Sequence, residues 1–288
     1  MGIAGLAALG AGLAAAPVRA LNALAAVEPA QEESGLAYGP GPRQRLDLYR
    51  PRGEPPRAGW PVVVFFYGGS WNRGERSDYR FVGSALASRG ILALVADYRL
   101  YPEVRYPDFL VDSARALAFS LENAARLGGN PKRVFVMGHS AGAYNAAMLA
   151  LDARWLRATG HSPDELAGLI GLAGAYDFLP MTNPDAQPVF FHPDYPPGTQ
   201  PLEHAGAKAP PSFLAAASRD DLIDPQRNTG GLATRLQAAA VPVTLRFYDR
   251  VDHMTLVGAL AWPLRWLAPV LDDVATFVAS TARQRNGT

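Results

Sequence analysis

Two rhythms of apolar and polar positions run along this chain. Arg45-Leu46-Asp47-Leu48-Tyr49 alternates with period two and reads as a half-buried strand. Pro61 to Tyr67 is a short apolar run of β-branched and aromatic residues, the pattern of a strand covered on both faces. Tyr79 to Arg89 has helical spacing, Ile91 to Ala96 is a second buried strand, and Tyr106 to Leu127 carries apolar residues at intervals of three and four. The pattern continues with a strand at Lys132–Met137, a helix at Ala141–Leu151, and strands at Leu166–Leu172 and Pro211–Ala217. A helix at Thr229–Ala240, a strand at Val243–Tyr248 and a final helix at Leu264–Ala279 complete it. Strands separated by helices of roughly ten or more residues predict an α/β class domain, with a mostly parallel central sheet and helices on both faces. Such sheets bind ligands outside the carboxyl ends of their strands.

Two stretches break the rhythm. Residues 177–210 are rich in proline and turn formers, with Phe178, Phe190, Phe191 and Tyr195 scattered without a period. An insertion of that length inside a compact domain predicts a pocket wall or lid; the alternative is a surface excursion pinned by its aromatics. Residues 1–30 begin with an Ala/Leu/Gly run from Ile3 to Ala16, followed by Ala16-Pro17-Val18-Arg19-Ala20. The segment resembles an export signal, although no Lys or Arg precedes the apolar run; an ordinary N-terminal helix is the other reading. The run is shorter than the ~20 residues that span a bilayer. Export and cytoplasmic residence both stay open, and residues 31–288 are expected to form one catalytic domain.

Composition narrows the partners. Hydrophobic residues make up 49% of the chain and charged residues 18%, which excludes intrinsic disorder. A formal net charge of +1, with no Lys/Arg-rich run, gives no footprint for nucleic acid or a polybasic membrane surface. A small uncharged substrate is the expectation. The chain has no cysteine, which excludes disulfides, thiolate metal sites, cysteine nucleophiles and lipid attachment through cysteine.

The strongest chemical signal is Gly138-His139-Ser140-Ala141-Gly142, between a predicted strand and a predicted helix. Glycines on both sides permit a strained turn that lifts the Ser140 hydroxyl above the sheet. The N–H of Ala141, at the helix N-terminus, faces the place where a negative oxygen would form. A serine hydroxyl needs a histidine to take its proton and a carboxylate to fix the histidine tautomer, in the chain order serine, acid, histidine. His253 follows the last strand at the ligand-binding edge. His139 is expected to point away, and His161, His192 and His204 lie in connecting segments. The acid is expected after the strand ending at Ala217, where Asp220 has Ile223 three positions on; Asp221 is the close alternative, and Asp224 reads as a helix cap before Pro225. After the early buried strand, Gly68-Gly69-Ser70-Trp71 offers the N–H groups of Gly69 and Ser70 to the same oxyanion.

With these residues in place, the chain resembles the α/β-hydrolase superfamily, and within it the bacterial carboxylesterases related to hormone-sensitive lipase, feruloyl esterases and kynurenine formamidases. The likeness runs from about Leu36 to the end. It rests on Gln44 to Pro51, Tyr67 to Trp71, Asp97-Tyr98-Arg99-Leu100, Tyr106-Pro107, the Ser140 turn, Gln200-Pro201, the Asp220 segment and His253. The family usually shows His-Gly-Gly before the tryptophan, where this chain has Tyr67. Relatives also often carry a lipid-accepting cysteine just before a stretch like Leu21-Asn22-Ala23-Leu24, and this chain has none. The resemblance implies the α/β-hydrolase fold and hydrolysis of small to medium carboxylic esters through an acyl-enzyme, with no metal or organic cofactor. The same machinery cleaves activated amides, as in an arylformamidase, and a catalytically silent binding homologue is a third reading.

Overall fold

The computed structural model describes residues 30–285, together with Asn22 and Glu28; most of residues 1–30, with the export question, lies outside the described residues. Eight strands among these residues form one sheet: β1 Gln31–Ala37, β2 Arg45–Arg50, β3 Trp60–Phe66, β4 Leu92–Ala96, β5 Gly129–His139, β6 Leu166–Leu172, β7 Ser212–Ala217 and β8 Val243–Tyr248. Their order is β1-β2-β4-β3-β5-β6-β7-β8. All neighbours from β4 to β8 pair in parallel, and β2 runs antiparallel to both β1 and β4. This is the α/β-hydrolase arrangement.

The helices are α1 Arg80–Ser88, α2 Asp108–Asn123, α3 Ala141–Leu151, α4 Ala153–Arg157, α5 Gly231–Ala238, α6 His253–Gly258 and α7 Val270–Arg285. α1 and α7 cover one face of the sheet; α2, α3 and α5 cover the other. The central strands are sealed on both sides, as their continuous apolar runs require, and Val62 to Phe66 are completely buried. Each such Val or Phe side chain contributes about 1.5–3 kcal/mol of burial. α3 is buried from Ala141 to Ala150 and is rich in alanine, so it can press close against β5 and β6 beneath the site.

Several boundaries differ from the sequence pattern, each for a local reason. The last helix starts at Val270 and not Leu264, because Pro269 lacks the N–H a helix interior needs and suits the position before its first turn. Thr229 to Ala240 divides into a π-turn at Gln226–Gly230 and α5. β1 was not legible: its sequence QEESGLA is exposed and bulged near Gly35, so it carries no alternating apolar face. The 177–210 segment contains two short 3₁₀ turns, Gln187–Phe190 and Pro201–His204.

Candidate functional site

β5 delivers Ser140 to the carboxyl edge of the sheet, and α3 begins at the next residue. Ser140 sits at φ 55°, ψ −121°, a conformation that costs a non-glycine residue on the order of 1–3 kcal/mol and persists only where its surroundings hold it. They do so through its neighbours. A Cβ on Gly138 would run into the backbone of Gly142, and one on Gly142 would run into the carbonyl of Phe66 on β3. The two glycines therefore let strand, turn and helix interlock, and the Ser140 N–H is tied to the Leu172 carbonyl on β6 at 2.9 Å. Gly142→Ala is expected to lower thermal stability by about 1–3 kcal/mol through overpacking against β3. A thermal melt checks it; an unchanged melting temperature would contradict the interlock.

The structure brings Ser140, His253 and Asp220 together. His253 Nε2 lies 2.8 Å from Ser140 Oγ, and its Nδ1 lies 2.7 Å from Asp220 Oδ2. The imidazole and its carboxylate are both shielded, with side-chain exposure of 6% for His253 and 1% for Asp220. Burial works against the Asp220 charge, but the bond from His253 and the N–H groups of Ile223 and Leu222 outweigh it and hold this carboxyl below its ordinary value. Geometry separates the adjacent aspartates: Asp221 faces the cavity, and it is Asp220 that meets the imidazole. Asp224 caps the following turn, accepting from the N–H groups of Gln226 and Arg227 at 2.9 Å each.

The Gly68–Trp71 loop lies directly against the serine: a Cβ on Gly68 would stand 2.9 Å from that of Ser140. Positive φ angles of 130° at Gly69, 52° at Ser70 and 56° at Trp71 turn this loop sharply. Among the described residues the N–H groups of Gly69, Ser70 and Ala141 meet no protein acceptor. Tyr67 roots the loop. Its ring stacks between Tyr79 and Tyr98, with centroids 5.4 and 4.9 Å away, and its hydroxyl donates to Asp97 and accepts from Arg43, both at 2.8 Å. Burial, with Asp97 beside it, keeps that hydroxyl protonated.

A cavity of about 380 Å³ opens beside Ser140 and His253. The proline-rich insertion supplies Phe178 and residues 181–186 to its wall. The tip of this wall is fastened to the loop opposite: Asn183 donates to Ser70 Oγ at 3.1 Å, Asn72 donates to the Asp185 carbonyl, and Arg73 pairs with Asp185 at 2.9 Å. Its base is held by Arg227 against Asp177 and by Gln200, whose Oε1 accepts from the N–H groups of Phe178 and Leu179. The inner wall is aromatic, with Trp71 and Phe178 backed by Phe190 and Tyr144.

One expectation is corrected. His139, expected to point away, turns its ring toward His253, with centroids 4.9 Å apart, and its Nε2 donates to the His253 carbonyl at 2.9 Å. The pattern around Ser140 marked its position but not its direction. Nothing in the sequence marked Asn183 or Asn228, although Asn228 Oδ1 accepts the N–H groups of Tyr176 and Asp177 and fixes the root of the insertion. Among the described residues no group of His, Asp and Glu is arranged to hold a metal, and no helix is long and apolar enough to cross a membrane.

The family model BD-FAE matches residues 46–236, more than half of the chain. The chain belongs to the BD-FAE family. The matched span of this BD-FAE member holds Gly69, Ser70, Ser140, Ala141 and Asp220; His253 lies beyond it. A probable isoprenylcysteine alpha-carbonyl methylesterase of Arabidopsis thaliana is 27% identical over 88% of this chain and 57% of its own length. The esterase LipC of Mycobacterium tuberculosis is 29% identical over 78% of this chain and 58% of its own. The BD-FAE chain thus spans little more than half the length of these relatives. Among solved structures, esterase B from Lactobacillus rhamnosis superposes with a TM-score of 0.77 at 22% identity, covering 98% of this chain and 96% of that one. The Pyrobaculum calidifontis esterase gives 0.75 at 22% identity over 94% and 92%. At these identities the likeness is one of fold.

Proposed function

We propose that this protein hydrolyses carboxylic esters of small to medium acyl groups through an acyl-enzyme formed on Ser140. The observation that carries the proposal is the imidazole of His253, held at hydrogen-bond distance from both Ser140 Oγ and Asp220 Oδ2 beside an open cavity. Ser140 Oγ attacks the ester carbonyl while His253 Nε2 takes its proton. The oxyanion is held by the N–H groups of Gly69, Ser70 and Ala141, the last with the field of the α3 N-terminus behind it. The C–O bond then breaks, and His253 returns the proton to the departing alkoxide. A water molecule, deprotonated by the same nitrogen, releases the acid and regenerates Ser140. Asp220 stays ionised throughout and stabilises the imidazolium between the two steps. The names of the relatives, an esterase and a methylesterase, support the same reading.

Substrate size follows from the cavity, whose volume of about 380 Å³ sits at the small end of ligand pockets. Trp71 and Phe178 line it, with the Phe190 and Tyr144 rings packed against them. Phe178→Ala is therefore expected to raise kcat/KM for p-nitrophenyl octanoate relative to the butyrate by roughly tenfold, the scale on which one pocket side chain discriminates between apolar groups. An unchanged chain-length profile would remove Phe178 as the limit. Turnover of p-nitrophenyl acetate against an aryl formamide by the purified protein tests the ester reading itself. A higher kcat/KM for the formamide would replace it with the amide-hydrolase reading.

A further inference from the structure

His139 is 1% exposed and lies outside the wall of the substrate cavity, yet it makes a directed contact with the site. Its partner is a carbonyl, which can only accept, so the hydrogen sits on Nε2 and a neutral ring leaves Nδ1 as a bare acceptor. That Nδ1 has no protein partner among the described residues. The ring thus makes a single hydrogen bond, to the backbone of His253.

The segment it holds has few other ties. Asp252 caps α6 from within, accepting from the N–H groups of Met254 and Thr255. Among the described residues, His139 is the one side chain from outside this cap that hydrogen-bonds the backbone of residues 250–253. Both nitrogens of the His253 ring are committed, at 2.7 and 2.8 Å to groups from two different loops. A displacement of that backbone by about 1 Å breaks one bond or the other, a misplacement that can cost on the order of a hundredfold in rate.

We propose that His139 is a positioning residue for the hydrolysis described above: as an Nε2–H donor it pins the His253 carbonyl and so keeps the imidazole between Ser140 and Asp220. The choice of histidine also suits the charge that passes through the site. Burial and the neighbouring His253 push the His139 pKa down to about 3, opposed by the bond to the His253 backbone and by Asp220. It therefore stays neutral while His253, with its ring 4.9 Å away, carries the proton of Ser140.

This inference rests on the ester-hydrolase reading, and its test separates the two. His139→Gln keeps an amide N–H near the place of Nε2, His139→Asn puts it near Nδ1 and out of reach, and His139→Leu removes it. With p-nitrophenyl acetate, His139→Gln is expected within about threefold of the wild-type kcat, and His139→Leu and His139→Asn roughly 10–100-fold below it with KM within about twofold. The proton shared by His253 Nδ1 and Asp220 should be resolved downfield by nuclear magnetic resonance in the wild type and His139→Gln. It should be broadened or lost in His139→Leu and His139→Asn. Equal kcat in the Gln and Asn variants, or wild-type kcat in His139→Leu, would overturn the proposal. If His139→Leu does not fold, the Gln and Asn pair decides. If the wild type turns over no ester, the hydrolase reading fails alone, since the downfield proton reports the imidazole position without turnover.

Discussion

Ser140→Ala is expected to lower kcat for p-nitrophenyl acetate by roughly 10⁴–10⁶-fold with an unchanged circular dichroism spectrum. The change removes one oxygen from a residue whose backbone is tied to Leu172 and whose neighbours already interlock, so little of the fold depends on it. The proposed oxyanion donors and the cavity are left in place, so a residual acceleration of about 10³–10⁴ over water is expected. The wild type should also be labelled at Ser140 by a fluorophosphonate, and the variant should not. Undiminished turnover in Ser140→Ala would remove the nucleophile. Failure of the wild type to be labelled would favour the silent-homologue reading.

Asp220→Asn is expected to lower kcat by roughly 10⁴-fold, because an amide can present its N–H to Nδ1 and fix the imidazole in the tautomer that cannot accept the serine proton. Asp221→Asn, one residue away, should change kcat by less than about threefold, since its carboxylate faces the cavity and not the ring. Steady-state kinetics on the two variants decides between them; equal losses would contradict the geometry. The same pair carries a stability signature. The folded Asp220 carboxyl lies below its ordinary value of 3.8, so the unfolded chain protonates first as pH falls. The stability from the Asp220–His253 bond is therefore full above pH 3.8 and lost as pH drops through the lower folded value. Asp220→Asn should flatten acid unfolding in that window, as read by urea midpoints.

Much of the site was legible because its chemistry is bound to local rules. A serine with glycines two positions away on either side, after an apolar strand run and before an alanine-rich one, marks the strand-to-helix turn at Ser140, because glycine lets backbone segments approach where a Cβ would collide. The spacing of Asp220 and Ile223 was legible for a similar reason: an Asp side chain that accepts the N–H groups two and three residues on closes a compact turn. β1 was invisible because an exposed strand needs no apolar face. Apolar spacing alone extends α7 back to Leu264, but Pro269 sets its start at Val270.

The sequence by itself determined the class of fold, the candidate nucleophile, the chain order of its partners and the aromatic character of the insertion, since each depends on periodicity or on contacts within a few residues. The tertiary structure alone decided which of Asp220 and Asp221 meets His253, where the ring of His139 points, and that Asn183 fastens the insertion to the Ser70 loop. These are contacts between residues 33, 114 and 113 positions apart in the chain. Their geometry is set by how eight strands stack and twist, which no local pattern encodes.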